Sequence, residues 1–75
     1  MNWREHIVVN PEICNGQACF KGTRIPVTVV LDNLAAGVSE DQLRQDYPTL
    51  PNLAIAAALS YAAELAKERV IDLPA

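Results

Sequence analysis

The stretch Lys21-Gly22-Thr23-Arg24-Ile25-Pro26-Val27 decides how this chain folds. Gly22 admits a backbone conformation of positive φ that a residue with a Cβ resists. Pro26 holds its own φ near about −65° and has no N–H to give to a sheet, so a strand ends here. Its ring also drives Ile25 toward extended geometry. The stretch reads as the point where a small sheet hands over to a helical body.

Upstream, Ile7, Val8 and Val9 are β-branched and favour a pleated strand, and Asn10-Pro11 marks a turn. Asn15-Gly16 is a hairpin signal, because both central residues of a type I′ turn need positive φ. Cys19, Phe20 and Ile25 then supply apolar positions. The pattern predicts two short extended segments, about 6–10 and 18–25.

Downstream the period changes. Val27, Val30, Leu31 and Leu34 recur at helical spacing, with Asp32 and Asn33 on the other side and Gly37 past the end, which predicts a helix over 27–36. Ser39 is an N-cap, and Gln42 stands three residues later to close a capping box. Val38 and Leu43 are placed for a hydrophobic staple, and Glu40 and Asp41 complement the helix dipole. This second helix runs over about 40–46 and stops at Tyr47-Pro48. A third begins near Pro51 or Asn52 and runs to about Arg69. Its core stripe is expected to be Ile55, Ala58, Leu59, Ala62, Leu65 and Ala66, with a second stripe of Leu53, Ala57 and Tyr61, joined by Ala54, beside it.

The fold class is therefore mostly α: an N-terminal β-hairpin or pair of short strands, then a three-helix, helix-turn-helix-like bundle of the homeodomain or winged-helix kind. The 75 residues suit one domain, divided into a ribbon (1–25), a three-helix body (26–70) and a tail (71–75). A chain this short buries roughly 60–65% of the surface its unfolded form exposes. Pooling its core with a second copy is an attractive solution. The second stripe of helix three has no element of its own chain left to cover it, so Leu53, Ala57 and Tyr61 are the expected interface of a homodimer or of a protein partner.

Charge narrows the partners. The net charge is −3, but residues 1–24 carry +1 and residues 25–66 carry −4. An acidic helical body repels a phosphate backbone and suits a basic protein. Helix three shows no basic residue before Lys67, so it is not expected to read bases. DNA remains an alternative partner only through Arg4, Lys21 and Arg24 on the ribbons of a dimer. Lys21-Gly22-Thr23-Arg24 is not a phosphate loop, since it lacks the first glycine at the required spacing. Its structural roles are a pairing of Arg24 with a carboxylate of the body, and a Thr23 hydroxyl that caps helix one or closes the turn.

Catalysis, cofactors and metals are not expected. His6 stands alone, nothing near Cys14 in sequence is placed to lower its pKa, and two cysteines with one histidine do not complete a zinc site. Cys14 and Cys19 are read as free thiols of a reducing cytoplasm. No signal peptide or membrane-spanning stretch is visible, which predicts a cytoplasmic protein without a membrane contact.

Four segments in order resemble domain-of-unknown-function family 433: Asn10-Pro11-Glu12-Ile13-Cys14-Asn15-Gly16, Lys21 to Val27, Gly37-Val38-Ser39-Glu40-Asp41, and Tyr47-Pro48-Thr49-Leu50. The resemblance spans roughly residues 6–66. It implies a bacterial or archaeal protein with a β-hairpin and a helix-turn-helix-like body, usually dimeric. It also implies an antitoxin role against a PIN-like ribonuclease toxin, with autoregulation of the operon. The chain departs from the family pattern at Asn15-Gly16-Gln17-Ala18, where a lysine and a proline are missing, and at Pro51-Asn52-Leu53-Ala54, where the polar start of helix three is lost.

Overall fold

The computed structural model describes residues 1–67. An antiparallel hairpin of β1 (Ile7–Val9) and β2 (Ala18–Phe20) is followed by three helices, α1 (Val27–Ala35), α2 (Glu40–Asp46) and α3 (Ala54–Lys67). Single 3-10 turns precede β1 at Trp3–Glu5 and interrupt the hairpin connection at Cys14–Gly16. The expected extension of helix three to Arg69, the end of the body at 70 and the tail lie outside the described residues.

Both strands are shorter than the sequence suggests, and each shortening has a local cause. Asn15 and Gly16 do take positive φ (55° and 80°), but so does Cys14 (53°), and the three do not form a two-residue hairpin turn. The connection begins earlier, where the Asn10 side chain accepts from Glu12 N at 2.9 Å and Ile13 N donates to Asn10 O at 3.0 Å. An asparagine that satisfies the backbone two residues on makes its own turn and ends β1. At the other end, Thr23 N donates to Phe20 O at 3.1 Å across a turn with Gly22 at φ 77°. The strand expected to reach Ile25 therefore stops at Phe20.

The turn sends Ile25 and Pro26 back along the free side of β2. Phe20 N donates to Ile25 O at 3.2 Å, and Cys19 pairs with Pro26 in an isolated antiparallel bridge. Thr23 closes this turn and does not cap α1: its hydroxyl donates to Phe20 O at 2.9 Å and accepts from Ile25 N at 3.1 Å. Pro26 is the N-cap of α1 and contributes no side-chain hydrogen bond.

The helix ends follow their residues. After α1, Gly37 at φ 86° lets Val38 N reach Asn33 O and Gly37 N reach Leu34 O, each at 3.0 Å, a Schellman close. Ser39 Oγ accepts from Gln42 N at 3.1 Å at the start of α2. The reciprocal half of the expected capping box is absent, because Gln42 Nε2 donates to Asp46 Oδ1 at 2.9 Å. A carboxylate one turn away is a stronger acceptor partner than the neutral cap is a donor. Helix α3 starts at Ala54, later than expected. Arg44 takes the Asn52 carbonyl at 2.7 Å and the Pro51 carbonyl at 3.4 Å, and the first α-type bond runs from Ala57 N to Leu53 O at 2.9 Å.

One core joins both halves. Ile7 and Phe20 of the hairpin meet Val27 and Val30 of α1, Leu43 of α2, Leu50, and Ala54, Ile55, Ala57 and Ala58 of α3.

Candidate functional site

Helix α3 is apolar almost all round, so its orientation decides which face the protein offers to partners. Ala54, Ala57 and Ala58 are fully buried and Ile55 is nearly so. Leu59 is 52% exposed and Leu65 48%, with Ala56, Ala63 and Ala66 also exposed. This corrects the expected assignment of faces. Leu59, Leu65 and Ala66 were expected in the core and stand outside it. Ala57 was expected at an interface and is sealed inside, as is Ala54 of the same expected stripe. Tyr61 is half-buried under the N-terminal segment, and of the three expected interface residues only Leu53, at 50%, is exposed.

The physical reason is size. The inward neighbours are bulky, with Phe20, Leu43, Val27 and Val30 fully buried. Alanines on α3 let its backbone come close to these side chains, and leucines there would overfill a core that must stay at crystal-like density. The outward stripe is then Ala56, Leu59, Ala63 and Ala66, alternating spacings of three and four as in a helix that pairs with another helix.

The first residues of the chain lie on the end of α3. Trp3 Nε1 donates to Glu64 Oε2 at 2.6 Å, and the indole meets the Tyr61 ring edge-on at 4.8 Å between centroids. The Arg4 guanidinium sits 4.4 Å above the indole and pairs with Glu64 at 3.2 Å. Arg4 is therefore committed to Glu64 and is not a free cation of the ribbon. Sequence reasoning missed this latch. The available signal was Tyr61 and Glu64 three apart on one helix face, beside a lone tryptophan near an arginine.

Lys21 and Arg24 are exposed, and neither forms an ion pair among the described residues. The expected pairing of Arg24 with a carboxylate of the body is not made. Across the helices, Asp32, Glu40, Asp41 and Asp46 are all exposed. Their one cationic neighbour in sequence, Arg44, reaches Glu40 at 3.5 Å and spends its other nitrogens on Pro51 and Asn52 carbonyls. The surface of α1 and α2 thus keeps its negative charge. Among the described residues, no group of three or more His, Cys, Asp or Glu side chains could hold a metal ion, and no helix is long and apolar enough to cross a membrane.

The family model described as Protein of unknown function (DUF433) matches residues 7–62. The chain belongs to this family. A solved DUF433 protein from Anabaena variabilis is similar in structure, with a TM-score of 0.73 and 31% sequence identity. The match covers 83% of this chain and 61% of that one, so the present chain spans under two thirds of its relative's length. No protein with a curated description matches. Trp3, Arg4 and Glu64 fall outside the stretch that the DUF433 model matches, whereas Tyr61 falls inside it.

Proposed function

We propose that this DUF433 protein acts by protein–protein contact, as the antitoxin-like partner of a basic ribonuclease. The observation that carries the proposal is the outward face of α3. Ala56, Leu59, Ala63 and Ala66 form an exposed apolar stripe without a charge in it, and α1 and α2 carry Asp32, Asp41 and Asp46, all exposed. Contiguous exposed apolar surface of this kind marks an interaction site. An uncharged stripe of small residues suits a second copy of itself, since a two-fold pair brings like against like. The acidic surface then remains free for a cationic protein. The PIN-like character of that nuclease comes from the family resemblance, and the reading places the pair in the cytoplasm.

The DNA-binding alternative is less well supported. Arg4 is tied to Glu64, which leaves Lys21 and Arg24, and α3 offers alanine and leucine where base readout needs donors.

The test is co-purification of the tagged chain from its native host, with identification of what is retained. A basic nuclease held by the wild type and released by the triple change Asp32→Lys, Asp41→Lys, Asp46→Lys is the expected result. Recovery of no such protein, or retention unaffected by the charge reversal, contradicts the reading.

A further inference from the structure

The N-terminal latch and α3 enclose an open hollow of about 240 Å³. Ser60, Ala63, Glu64 and Lys67 line its helical side, and residues 1–4 form the other wall. The helix residues stand at i, i+3, i+4 and i+7, the diamond that receives a side chain from a neighbouring helix. Ala63, the smallest of the four, is exposed and belongs to the outward stripe as well. The polar groups around the hollow are spent on one another. Glu64 accepts from Trp3 Nε1 and from Arg4, and the Asn2 side chain accepts from Arg4 N at 3.2 Å. Met1, 59% exposed, adds apolar wall. Such a hollow suits an apolar side chain better than a polar ligand. It is larger than the cavity of about 150 Å³ that accepts a benzene ring in another protein.

The stripe beside the hollow carries one large side chain, Leu59, among three alanines. Parallel pairing of two α3 helices would set Leu59 against Leu59 and alanine against alanine, which leaves gaps. Antiparallel pairing about a two-fold axis sets Leu59 of each copy over Ala63 of the other, and Ala56 over Ala66. Leu59 then stands above the diamond. The extent of the joint points the same way, because a specific interface takes roughly 20–30 residues a side. Helix α3 has 14 residues, and Ala54, Ile55, Ala57 and Ala58 are buried in its own core. A second copy therefore needs more than α3 to rest on, and the N-terminal segment borders the stripe at Ala63.

We propose that two copies pair through antiparallel α3 helices, with Leu59 of each seated in the hollow between α3 and residues 1–4 of the other. The inference rests on the pairing proposed above and adds its direction, its register and the N-terminal segment as part of the surface. A two-fold joint of this kind fills both hollows at once. The latch thereby gains a second role. Trp3, held by Glu64 and Tyr61, fixes the wall against which the leucine of the second copy packs.

The test is nuclear magnetic resonance of the wild-type chain, mixed from copies with isotope-labelled leucine methyls and unlabelled copies, and filtered for contacts between the two. The expected contacts run from the Leu59 methyls of one copy to the Ala63 methyl, the Met1 methyl and the Trp3 ring of the other. Ser60→Lys fills the hollow and leaves the stripe unchanged. Its dimer is expected to dissociate at least about tenfold more readily in sedimentation equilibrium, since each leucine loses its seat. Circular dichroism shows whether this variant folds, and the wild-type contacts stand without it. A wild-type dimer whose Leu59 methyls reach Leu59 of the other copy and not its N-terminal segment would overturn the inference and leave the pairing intact. A folded Ser60→Lys dimer as tight as the wild type would overturn it too. A wild-type monomer would remove the pairing itself. A monomer whose Met1 and Ala63 methyls shift only when the co-purified nuclease is added would give the hollow to that partner, against the proposal.

Discussion

Replacing Trp3 tests whether the N-terminal latch is part of the fold. The indole makes three separable contacts: a hydrogen bond to Glu64, an edge-to-face pair with Tyr61, and the Arg4 cation over its face. Trp3→Phe removes the hydrogen bond and keeps the ring. Glu64 remains paired with Arg4 and its side chain is 38% exposed, so no carboxylate is stranded and the cost is about 1 kcal/mol. Trp3→Ala also removes the aromatic pair and the cation–π contact, which together add about 1–2 kcal/mol. The total of about 2–3 kcal/mol is a large share of the roughly 4–11 kcal/mol expected for a chain of this size. Arg4→Ala loses an ion pair whose two side chains are 61% and 38% exposed, together with the cation–π contact, and should cost about 1 kcal/mol or less. At about 4–8 °C per kcal/mol, the Tm falls should rank Trp3→Ala well above Trp3→Phe and Arg4→Ala. Thermal melts by circular dichroism at one fixed protein concentration measure this, since any self-association makes Tm concentration-dependent. A Trp3→Ala protein that melts with the wild type, or a Trp3→Phe protein as weakened as Trp3→Ala, would refute the reasoning.

Three further substitutions probe the local signals. Ser39→Ala removes the hydroxyl that accepts from Gln42 N and should lower stability by about 1 kcal/mol, whereas Gln42→Ala should change it by under about 0.5 kcal/mol, because the amide does not return to the cap. Urea denaturation of the pair checks this, and equal losses would restore the full capping box. Gly22→Ala meets nothing within 4 Å of the added Cβ, so its cost is the backbone term alone at φ 77°, about 1–2 kcal/mol; a neutral change in the same assay would mean that the turn relaxes freely.

What could be read from the sequence was local. Ser39, Gly37 and Gly22 act on backbone atoms within a few residues, and each does so as its chemistry indicated, whereas the strand expected to run up to Pro26 stops at Phe20. The family core, residues 7–62, was legible for the same reason, since its motifs are turns and caps. The orientation of α3 was not. With apolar residues on both sides, the choice depends on whether alanine or leucine fits against Phe20, Val27 and Leu43, and periodicity carries no information about volume across the core. The Trp3–Glu64 contact joins positions 61 apart, and each partner alone resembles a surface residue. The contact between the Cys14 sulfur and the Arg24 carbonyl goes with a positive φ at a cysteine, a conformation that residue type does not announce.

A second copy of the chain is the proposed occupant of the outward stripe of α3. Sedimentation equilibrium of the wild type and of Leu59→Asp at micromolar concentration tests it most directly. Leu59 is 52% exposed and is not one of the buried residues of the core, so the charge should leave the fold intact by circular dichroism. A wild-type dimer and a folded Leu59→Asp monomer are the expected results. A wild-type monomer, or a dimer that Leu59→Asp leaves unchanged, would contradict it.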